Sequence, residues 1–454
     1  MKTLNMMRLR RKLIRKLLFG MVLLFSVIGI FQIRDVSVSK QASNTATKDL
    51  KIRHVTDFFV EQIPNGRSNS RNISHKIKFP FKKYNISESY LIQRLERYSN
   101  ACRGREFQFG RETKFSMKRH FRKSSSHHIL YCSIEKAGST FWRRMLQMLD
   151  STNLKTPYDI APLHVNEKSV PFVEEGLYHA LASFKTNFVF VIARNPFTRL
   201  LSGYLDKIYT ANPYYWNSIG RSIRPNPQRG RAACYSDITF QEIVDYVINA
   251  EGYFKKVRDP HFMAMHDMCK PCQIPYDFIG KMETFDKDFS FLMKTWNVSN
   301  FEGTDMKSMA VDDTFLDVAT SLQDRKNSIT PCISMHEAYL RSWKHMQIKG
   351  LISDHEIYPF DETKSQSIKP VDLIKVMKSA HLKSNQGELK IQKVKYFREI
   401  YRTVHLKSLN LLVQALRPDF EIFDYDPFPE TIFNSTSPRL QHTDIFLVYN
   451  KTKI

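Results

Sequence analysis

Two segments of this chain share one order of features: an apolar run, a loop with a cation, and the start of a helix. They read HILYCSIEKAGSTFWRRML, from position 128, and FVFVIARNPFTRLLSGYL, from position 188. The apolar runs at 129–134 and 188–193 are short and nearly continuous, as in strands buried on both faces of a parallel sheet. The repeated pattern predicts an α/β fold whose loops meet at the carboxyl edge of the sheet.

Both loops are suited to binding an anion. Lys136 precedes a helix that begins near Ser139, and Arg194 precedes a helix that Asn195 can cap. A helix start has unpaired N–H groups and partial positive charge, and a neighbouring cation adds to both. Two such sites suit a ligand with phosphates at both ends. The residues that we expect to contact it are Lys136, Gly138, Ser139 and Thr140 in the first loop, and Arg194, Asn195, Arg199 and Ser202 in the second.

Helical spacing places Arg199 and Ser202 together on the side of the second helix away from its apolar face, where we expect them to face the ligand. Neither loop is a Walker A sequence, because EKAGST lacks the GxxxxGK pattern followed by Ser or Thr. A P-loop nucleotidase or kinase is therefore not indicated.

The segments resemble motifs of one enzyme family. IEKAGSTFWRRML is similar to the 5′-phosphosulfate loop, and RNPFTRLLSGYLDK to the 3′-phosphate loop, of the Golgi carbohydrate sulfotransferases related to the HNK-1 and chondroitin 4-O-sulfotransferases. CKPCQIPYDFIGKMETF and RPDFEIFDY resemble two further motifs of that family, in the same order. The first loop departs from the family pattern at Glu135, Ser139 and Phe141.

The resemblance implies an αβα layered, P-loop-like sulfotransferase domain with a mainly parallel sheet. It also implies phosphoadenosine phosphosulfate (PAPS) as the sulfate donor, no metal, and a glycan acceptor such as chondroitin, dermatan or a glucuronyl-terminated chain. Lys136 would stabilise the bridging oxygen, while Arg194 and Ser202 would hold the 3′-phosphate. For the general base, His261 is the first candidate and Glu283 the alternative.

Two alternative functions share several of these features. A Golgi glycosyltransferase would also have a membrane anchor and glycosylation sites, but it should carry an Asp-x-Asp metal site, which no loop here convincingly provides. A catalytically inactive glycan-binding relative is compatible with the altered residues Glu135 and Phe141 of the first loop.

The N-terminal region predicts a membrane anchor. Residues 1–16 contain seven basic and no acidic side chains, and the uncharged residues 17–33 would span about 25 Å as a helix. This asymmetry predicts a single-pass type II protein of the Golgi membrane, with an uncleaved anchor favoured over a signal peptide. The expected divisions are a cytosolic tail at 1–16, the anchor at 17–33, a lumenal stem at 34–127, the catalytic domain at 128–430 and an extension at 431–454.

The net charge of +24 does not indicate nucleic-acid binding, because of where it lies. The cytosolic tail carries +7 and the predicted stem +13, which leaves only +4 for residues 128–454. The stem could be a solvated linker or a surface that attracts anionic glycans. The sequence leaves the oligomeric state open.

The six cysteines and five glycosylation sequons all lie on the predicted lumenal side. The CxxC at Cys269 and Cys272 favours structural disulfides over zinc, although His261 and His266 are near in sequence, and Cys132 is expected to be a buried thiol. The sequons are at Asn72, Asn85, Asn297, Asn434 and Asn450. Finally, residues 394–416 have the periodicity of one long amphipathic helix.

Overall fold

The fold is mixed α/β, with a small and mainly parallel sheet, in a computed structural model of the chain. The structure describes residues 88–103, 111–165, 183–184, 186–226, 229–251, 258–299, 301, 304–434, 439 and 444–446. The four strands have the order β1-β2-β3-β4; β1 is antiparallel to β2, and the other pairs are parallel. Their bounds are Phe121–Ser124 (β1), Ile129–Cys132 (β2), Phe188–Ala193 (β3) and Phe278–Lys281 (β4).

Helices precede, separate and follow these strands along the sequence. As far as β4 they are α1 (Ser89–Cys102), α2 (Arg111–His120), α3 (Ser139–Leu149), α4 (Pro196–Tyr204), α5 (Pro213–Tyr215), α6 (Arg221–Ile223), α7 (Phe240–Asn249) and α8 (Met265–Cys269). After β4 they are α9 (Phe285–Thr295), α10 (Met306–Asp324), α11 (Lys326–Ile329), α12 (Met335–Ile348), α13 (Glu362–Ser367), α14 (Pro370–Lys383), α15 (Gln386–Arg402), α16 (Leu406–Ala415), α17 (Arg417–Ile422) and α18 (Glu430–Phe433).

Shorter turns complete the described elements. Leu205–Tyr209 and Trp216–Gly220 are π-helical. Single 3-10 turns occur at Pro157–Asp159, Pro162–His164, Met282–Thr284 and Asp444–Phe446.

The two apolar runs form adjacent parallel strands, as their composition predicts. Every residue of β2 and β3 is buried, and Ile129 pairs in register with Phe188. Helix α3 packs one side of this pair through Trp142, whose ring lies 5.2 Å from that of Phe190. Burial of both faces explains why these strands are continuous in apolar residues rather than alternating.

Packed secondary structure extends to residues before 128, inside the segment predicted to be the stem. Strand β1 pairs along β2, and helix α1 buries Leu91, Leu95 and Tyr98. These three positions follow helical spacing, but the many polar residues between them hide the pattern in the sequence. The Tyr98 hydroxyl donates to the carbonyl of Pro271 at 2.6 Å, which fixes α1 to the domain.

The prediction of one long helix at residues 394–416 is wrong, because the chain forms two helices there. Helix α15 ends at Arg402, α16 begins at Leu406, and His405 between them is extended. Val404 is fully buried at the break, and the His405 amide donates to the Gln241 side chain at 2.7 Å. Burial of Val404 and this tertiary hydrogen bond override the helical periodicity, which contains no Gly or Pro to signal a break.

All six cysteines form disulfides, which corrects the expectation that Cys132 is a free buried thiol. The bonds are Cys102–Cys272, Cys132–Cys269 and Cys234–Cys332. The two cysteines of the CxxC therefore bond to β2 and to the end of α1, as the disulfide hypothesis requires. Among the described residues, no group of three or more His, Cys, Asp or Glu side chains could hold a metal ion.

Several predictions concern residues at the chain ends. The proposed anchor at 17–33 and the sequons at Asn72, Asn85 and Asn450 lie outside the described residues. In the part of the chain that is described, no helix is both long and apolar enough to cross a bilayer. The other two sequon asparagines, Asn297 and Asn434, are exposed.

Candidate functional site

The two cationic loops meet at the carboxyl edge of the sheet. The Arg194 guanidinium, which follows β3, donates from Nη1 to the carbonyl oxygen of Lys136, which follows β2, at 2.9 Å. The end of β4 joins them, because a Cβ added to Gly138 would lie 3.0 Å from the sulfur of Met282. Three neighbouring parallel strands therefore deliver their loops to one place, as expected for a ligand site of an α/β sheet.

The first loop leaves the start of helix α3 open. Lys136 and Gly138 both have positive φ, +68° and +76°, which turns the chain sharply from the strand into the helix. No side chain caps α3, and the Thr140 side chain is exposed beside its first N–H groups. The helix start can therefore offer its unpaired N–H groups to an anion.

Glu135, one of the residues at which the first loop departs from the resembled family pattern, belongs to an ion pair inside this loop. Its carboxylate pairs with Arg143 and accepts a hydrogen bond from the Ser139 hydroxyl at 2.8 Å. Burial opposes ionisation, but Arg143, His261 and the Ser139 hydrogen bond together lower the pKa of Glu135 to about 2. The carboxylate is thus ionised and neutralised by Arg143, and the Ser139 hydroxyl is already engaged within the loop.

The second loop is capped by its own side chain, as predicted. Asn195 Oδ1 accepts from the amides of Phe197 and Thr198 at 3.0 and 3.2 Å. The Asn195 amide in turn donates to Glu283 at 2.8 Å. Because Asn195 occupies the helix start, an anion at this loop would have to bind mainly to the Arg194 side chain. The Ser202 hydroxyl has no hydrogen-bond partner among the described residues.

Arg199 is placed differently from the expectation that it faces the ligand. Its side chain is buried, and the guanidinium donates to the carbonyls of Glu135, Pro260 and Met263 at 2.8–2.9 Å. Helical spacing correctly separates Arg199 from the apolar face, but it does not show that another part of the protein covers this side. The three bonds fix the loop before α8 to the first loop.

Lys136 itself is held by a carboxylate that the sequence analysis missed. Its ammonium group lies 2.8 Å from Asp206 Oδ2, and the Lys207 ammonium lies 3.1 Å from the same oxygen. Burial would raise the pKa of Asp206, but the two lysines hold it well below its usual range. Asp206 follows Ser202 by four residues, so the spacing of the motif could have drawn attention to it.

Further charged groups come from helices that carry no recognised motif. His345 of α12, Lys349 directly after that helix, and Asp317 of α10 interact electrostatically with Asp206. His345 is buried, and burial lowers its pKa to about 3, so it is neutral near neutral pH. No local sequence signal distinguishes these residues from ordinary helix residues.

His261, the first candidate base, lies beside the first loop. Its Nδ1 is 2.8 Å from Asp259 Oδ1 and 3.3 Å from the Tyr215 hydroxyl. The ring is close enough to interact electrostatically with Glu135, which places it on the Lys136 side of the site. The tautomer with Nδ1–H directed at Asp259 leaves Nε2 able to accept a proton.

Glu283, the alternative base, lies at the second loop instead. One carboxylate oxygen accepts from the Asn195 amide and the other from the Tyr425 hydroxyl, each at 2.8 Å. The carboxylate is therefore engaged in holding the Arg194 loop against the residues that follow α17.

Comparisons with known proteins agree with this geometry. A family model described as "Sulfotransferase family" matches residues 119–352. Carbohydrate sulfotransferase 8 of Mus musculus is 33% identical over 177 residues, which is 37% of this chain and 41% of that protein. Carbohydrate sulfotransferase 11 of Rattus norvegicus is 27% identical over 194 residues, 40% of this chain and 54% of that protein.

A third relative extends the match. Carbohydrate sulfotransferase 14 of Danio rerio is 25% identical over 247 residues, 51% of this chain and 65% of that protein. The chain thus spans about two fifths to two thirds of the length of these curated relatives. No solved structure is a significant match.

Proposed function

Because this chain belongs to the sulfotransferase family, we propose that it transfers the sulfuryl group of PAPS to a hydroxyl group of a glycan. The relatives named above are carbohydrate sulfotransferases, which supports a carbohydrate acceptor. Chondroitin, dermatan and glucuronyl-terminated glycans are the acceptor classes that we propose. The family match gives no support to the glycosyltransferase alternative.

The observation that carries the proposal is the meeting of the two loops. The uncapped start of α3 and Lys136 form one anionic subsite, and Arg194, bonded to the Lys136 carbonyl at 2.9 Å, begins the second. A donor with a phosphosulfate at its 5′ end and a phosphate at its 3′ end matches two adjoining cationic subsites. The Ser202 hydroxyl, which has no hydrogen-bond partner among the described residues, can add a hydrogen bond at the 3′-phosphate.

The transfer requires stabilisation of one developing charge. The acceptor oxygen forms a bond to sulfur while the bond from sulfur to the bridging oxygen breaks, and the electron pair stays on the 5′-phosphate of adenosine 3′,5′-bisphosphate. Lys136 and the N–H groups at the start of α3 stabilise that oxygen. Before the donor binds, Lys136 is paired with Asp206, so Lys136 exchanges one anionic partner for another when the donor binds.

The acceptor proton passes to His261 in this proposal. Asp259 fixes the ring through Nδ1 at 2.8 Å, and Nε2 takes the proton as the new bond forms. The position of His261 beside the first loop supports it over Glu283, whose two oxygens already accept hydrogen bonds at the second loop.

The wider setting is proposed on the same basis. The basic residues 1–16 and the uncharged residues 17–33 support a single-pass anchor in the Golgi membrane with the domain in the lumen. Three disulfides fit such an oxidising compartment. The burial of both faces of β2 and β3 supports an αβα layered domain.

The experiment is transfer of labelled sulfate from PAPS by the full-length protein to a panel of chondroitin, dermatan and glucuronyl-terminated acceptors. We expect label on at least one acceptor. His261→Ala should slow turnover by about 10²- to 10⁴-fold with unchanged affinity for adenosine 3′,5′-bisphosphate, as for a lost general base. Glu283→Gln should instead weaken nucleotide binding.

The outcomes separate the alternatives. Nucleotide binding without transfer to any acceptor would favour the inactive glycan-binding relative. Normal turnover in His261→Ala would remove the assigned base, and failure to bind the nucleotide at all would refute the proposed function.

A further inference from the structure

A short aromatic segment, Pro-Tyr-Tyr-Trp at positions 213–216, follows the second cationic loop and its helix. Trp216 is fully buried, and its indole N–H donates to the carbonyl of Ile208 at 2.7 Å. The amides of Tyr215 and Trp216 both donate to the carbonyl of Asn212, at 3.0 and 3.1 Å. These bonds fix the backbone of the segment, so the fold sets the positions of its two tyrosines.

Tyr215 contacts one group on each side of the proposed reaction centre. Its hydroxyl lies 3.3 Å from Nδ1 of His261, and the two rings pack edge to face with centroids 5.5 Å apart. The Lys207 ammonium lies over the Tyr215 ring, 5.2 Å from its centroid. Lys207 in turn shares Asp206 with Lys136. Tyr215 therefore borders the space between the proposed base and Lys136, which the acceptor hydroxyl has to enter.

Tyr214 extends this aromatic surface into solvent. Its ring packs edge to face against that of Tyr215, with centroids 5.1 Å apart, and 72% of the residue is exposed. A single exposed aromatic side chain is common on proteins and by itself indicates no ligand. Here the exposed ring is continuous, through Tyr215, with His261. The three rings thus form a row that leads from solvent to the proposed base.

The row has the chemistry of a carbohydrate-binding surface. A pyranose ring presents C–H groups on its faces and hydroxyl groups around its rim. The face of a tyrosine ring offers an apolar contact, and its phenol offers a hydrogen bond at the edge. A tyrosine has few rotatable bonds, so a ligand that fixes it causes little loss of conformational entropy. Because a glycan is a chain, the sugars beside the reacting one have to lie along the surface next to the site.

We propose that Tyr214 and Tyr215 form the acceptor subsite, in which the sugar that receives sulfate lies against Tyr215 and the neighbouring sugar packs its ring on Tyr214. This inference rests on the proposed function and adds the place where the acceptor binds, which lies outside every recognised motif. The ligand class is an oligosaccharide of pyranose sugars. Tyr214 contributes affinity for this acceptor and takes no part in binding the donor.

The test measures acceptor binding separately from donor binding. The full-length protein is saturated with adenosine 3′,5′-bisphosphate and titrated calorimetrically with the chondroitin, dermatan or glucuronyl-terminated oligosaccharide that accepts label in the panel. Tyr214→Ala should weaken this affinity by about 3- to 10-fold, the effect of one lost aromatic contact. Its affinity for adenosine 3′,5′-bisphosphate alone should equal that of the wild type. In turnover, KM for the glycan should rise while kcat stays nearly unchanged.

Two control variants separate the ring from other effects of substitution. Tyr214→Phe keeps the ring and should bind the glycan nearly as tightly as the wild type. Phe115→Ala removes a ring of similar exposure, 63% exposed on α2 beside Arg119, and should leave glycan affinity unchanged. Because most of the Tyr214 side chain is in solvent, we expect Tyr214→Ala to unfold at the same denaturant concentration as the wild type.

The outcomes distinguish the two levels of proposal. If the wild type labels no acceptor, the proposed function fails. If the wild type transfers sulfate, and Tyr214→Ala binds the glycan as tightly as Phe115→Ala does, this inference alone is overturned. Equal weakening in Tyr214→Phe and Tyr214→Ala, or a parallel loss of nucleotide affinity in Tyr214→Ala, would also overturn it, because neither follows from a ring that contacts the acceptor.

Discussion

At the scale of single residues, the important finding is that Lys136 forms an ion pair with the carboxylate of Asp206 when no donor is bound. Its ammonium group and that of Lys207 share Asp206 Oδ2 at 2.8 and 3.1 Å. The carboxylate orients both lysines in the absence of ligand, and it also repels the phosphosulfate that must bind there. Asp206 therefore has two opposing effects: its charge lowers the affinity for the donor, and its ion pair keeps Lys136 oriented for transfer.

The Asp206→Asn variant separates these two effects. We expect it to bind adenosine 3′,5′-bisphosphate about 10-fold more tightly, because a repulsive charge is lost, and to turn over more slowly, because Lys136 loses its orienting partner. The measurements are calorimetric affinity and initial rates with saturating PAPS.

The control is Asp312→Asn, which removes another Asp–Lys pair, with Lys378 at 2.7 Å, far more exposed than the first. Asp312→Asn should change neither the affinity for adenosine 3′,5′-bisphosphate nor the initial rate of transfer. Weaker nucleotide binding by Asp206→Asn would contradict the assigned role.

Residue-level prediction from sequence succeeded for local geometry, while the ligand-binding roles of these residues stay predictions. Lys136, Gly138 and the Asn195 cap follow from the strand–loop–helix order, because neighbouring residues determine each of them. Arg199 did not follow, since its three carbonyl acceptors come from other parts of the chain. Asp206 lay within the recognised motif, but only the fold shows which cation it meets.

At the scale of elements, the junction between the segment after α12 and helix α15 is the least predictable part of the described fold. It depends on a turn at Gly350 and on hydrogen bonds from the Gln392 side chain to the carbonyls of Gln347 and Ile352, and none of these forms a local signal. The strands β2 and β3 were predictable because burial on both faces leaves a continuous apolar run. The break between α15 and α16 was not, because tertiary contacts of Val404 and His405 determine it.

Gly350→Ala tests this junction. The added Cβ would lie 2.8 Å from the Leu389 carbonyl oxygen, in a backbone conformation with φ of +71°. We expect the free energy of unfolding to fall by about 2 kcal/mol, of which about 1 kcal/mol is backbone strain.

Gly230→Ala provides the control for the strain alone. Gly230 has a similar φ of +76°, but a Cβ there would meet nothing within 4 Å. Denaturant unfolding of both variants should show the larger loss for Gly350→Ala. Equal losses would mean that the junction is not tightly packed.

At the scale of the whole molecule, disulfides connect distant parts of the sequence. Cys102–Cys272 joins α1 to the segment before β4, Cys132–Cys269 joins β2 to α8, and Cys234–Cys332 joins two helical regions. The sequence indicated a disulfide framework, but pairing depends on the folded positions of the six cysteines. Fold class and family were therefore accessible from sequence, whereas connectivity was not.

The paired Cys234→Ala and Cys332→Ala substitutions should destabilise the protein while leaving the site intact. The bond closes a loop of 98 residues, for which chain entropy predicts a loss of up to about 4.7 kcal/mol. Unfolding monitored by circular dichroism should show a lower midpoint, with unchanged nucleotide affinity below it. An unchanged midpoint would show that the bond does not constrain the unfolded chain.

The central claim is that the two loops hold opposite ends of one bisphosphorylated donor. It is tested most directly by calorimetry with adenosine 3′,5′-bisphosphate and adenosine 5′-phosphate, in the wild type and in Arg194→Met. The account predicts that the 3′-phosphate improves wild-type affinity by about 10-fold or more, and that this advantage is largely lost in Arg194→Met. The same ratio of affinities in both proteins would contradict it.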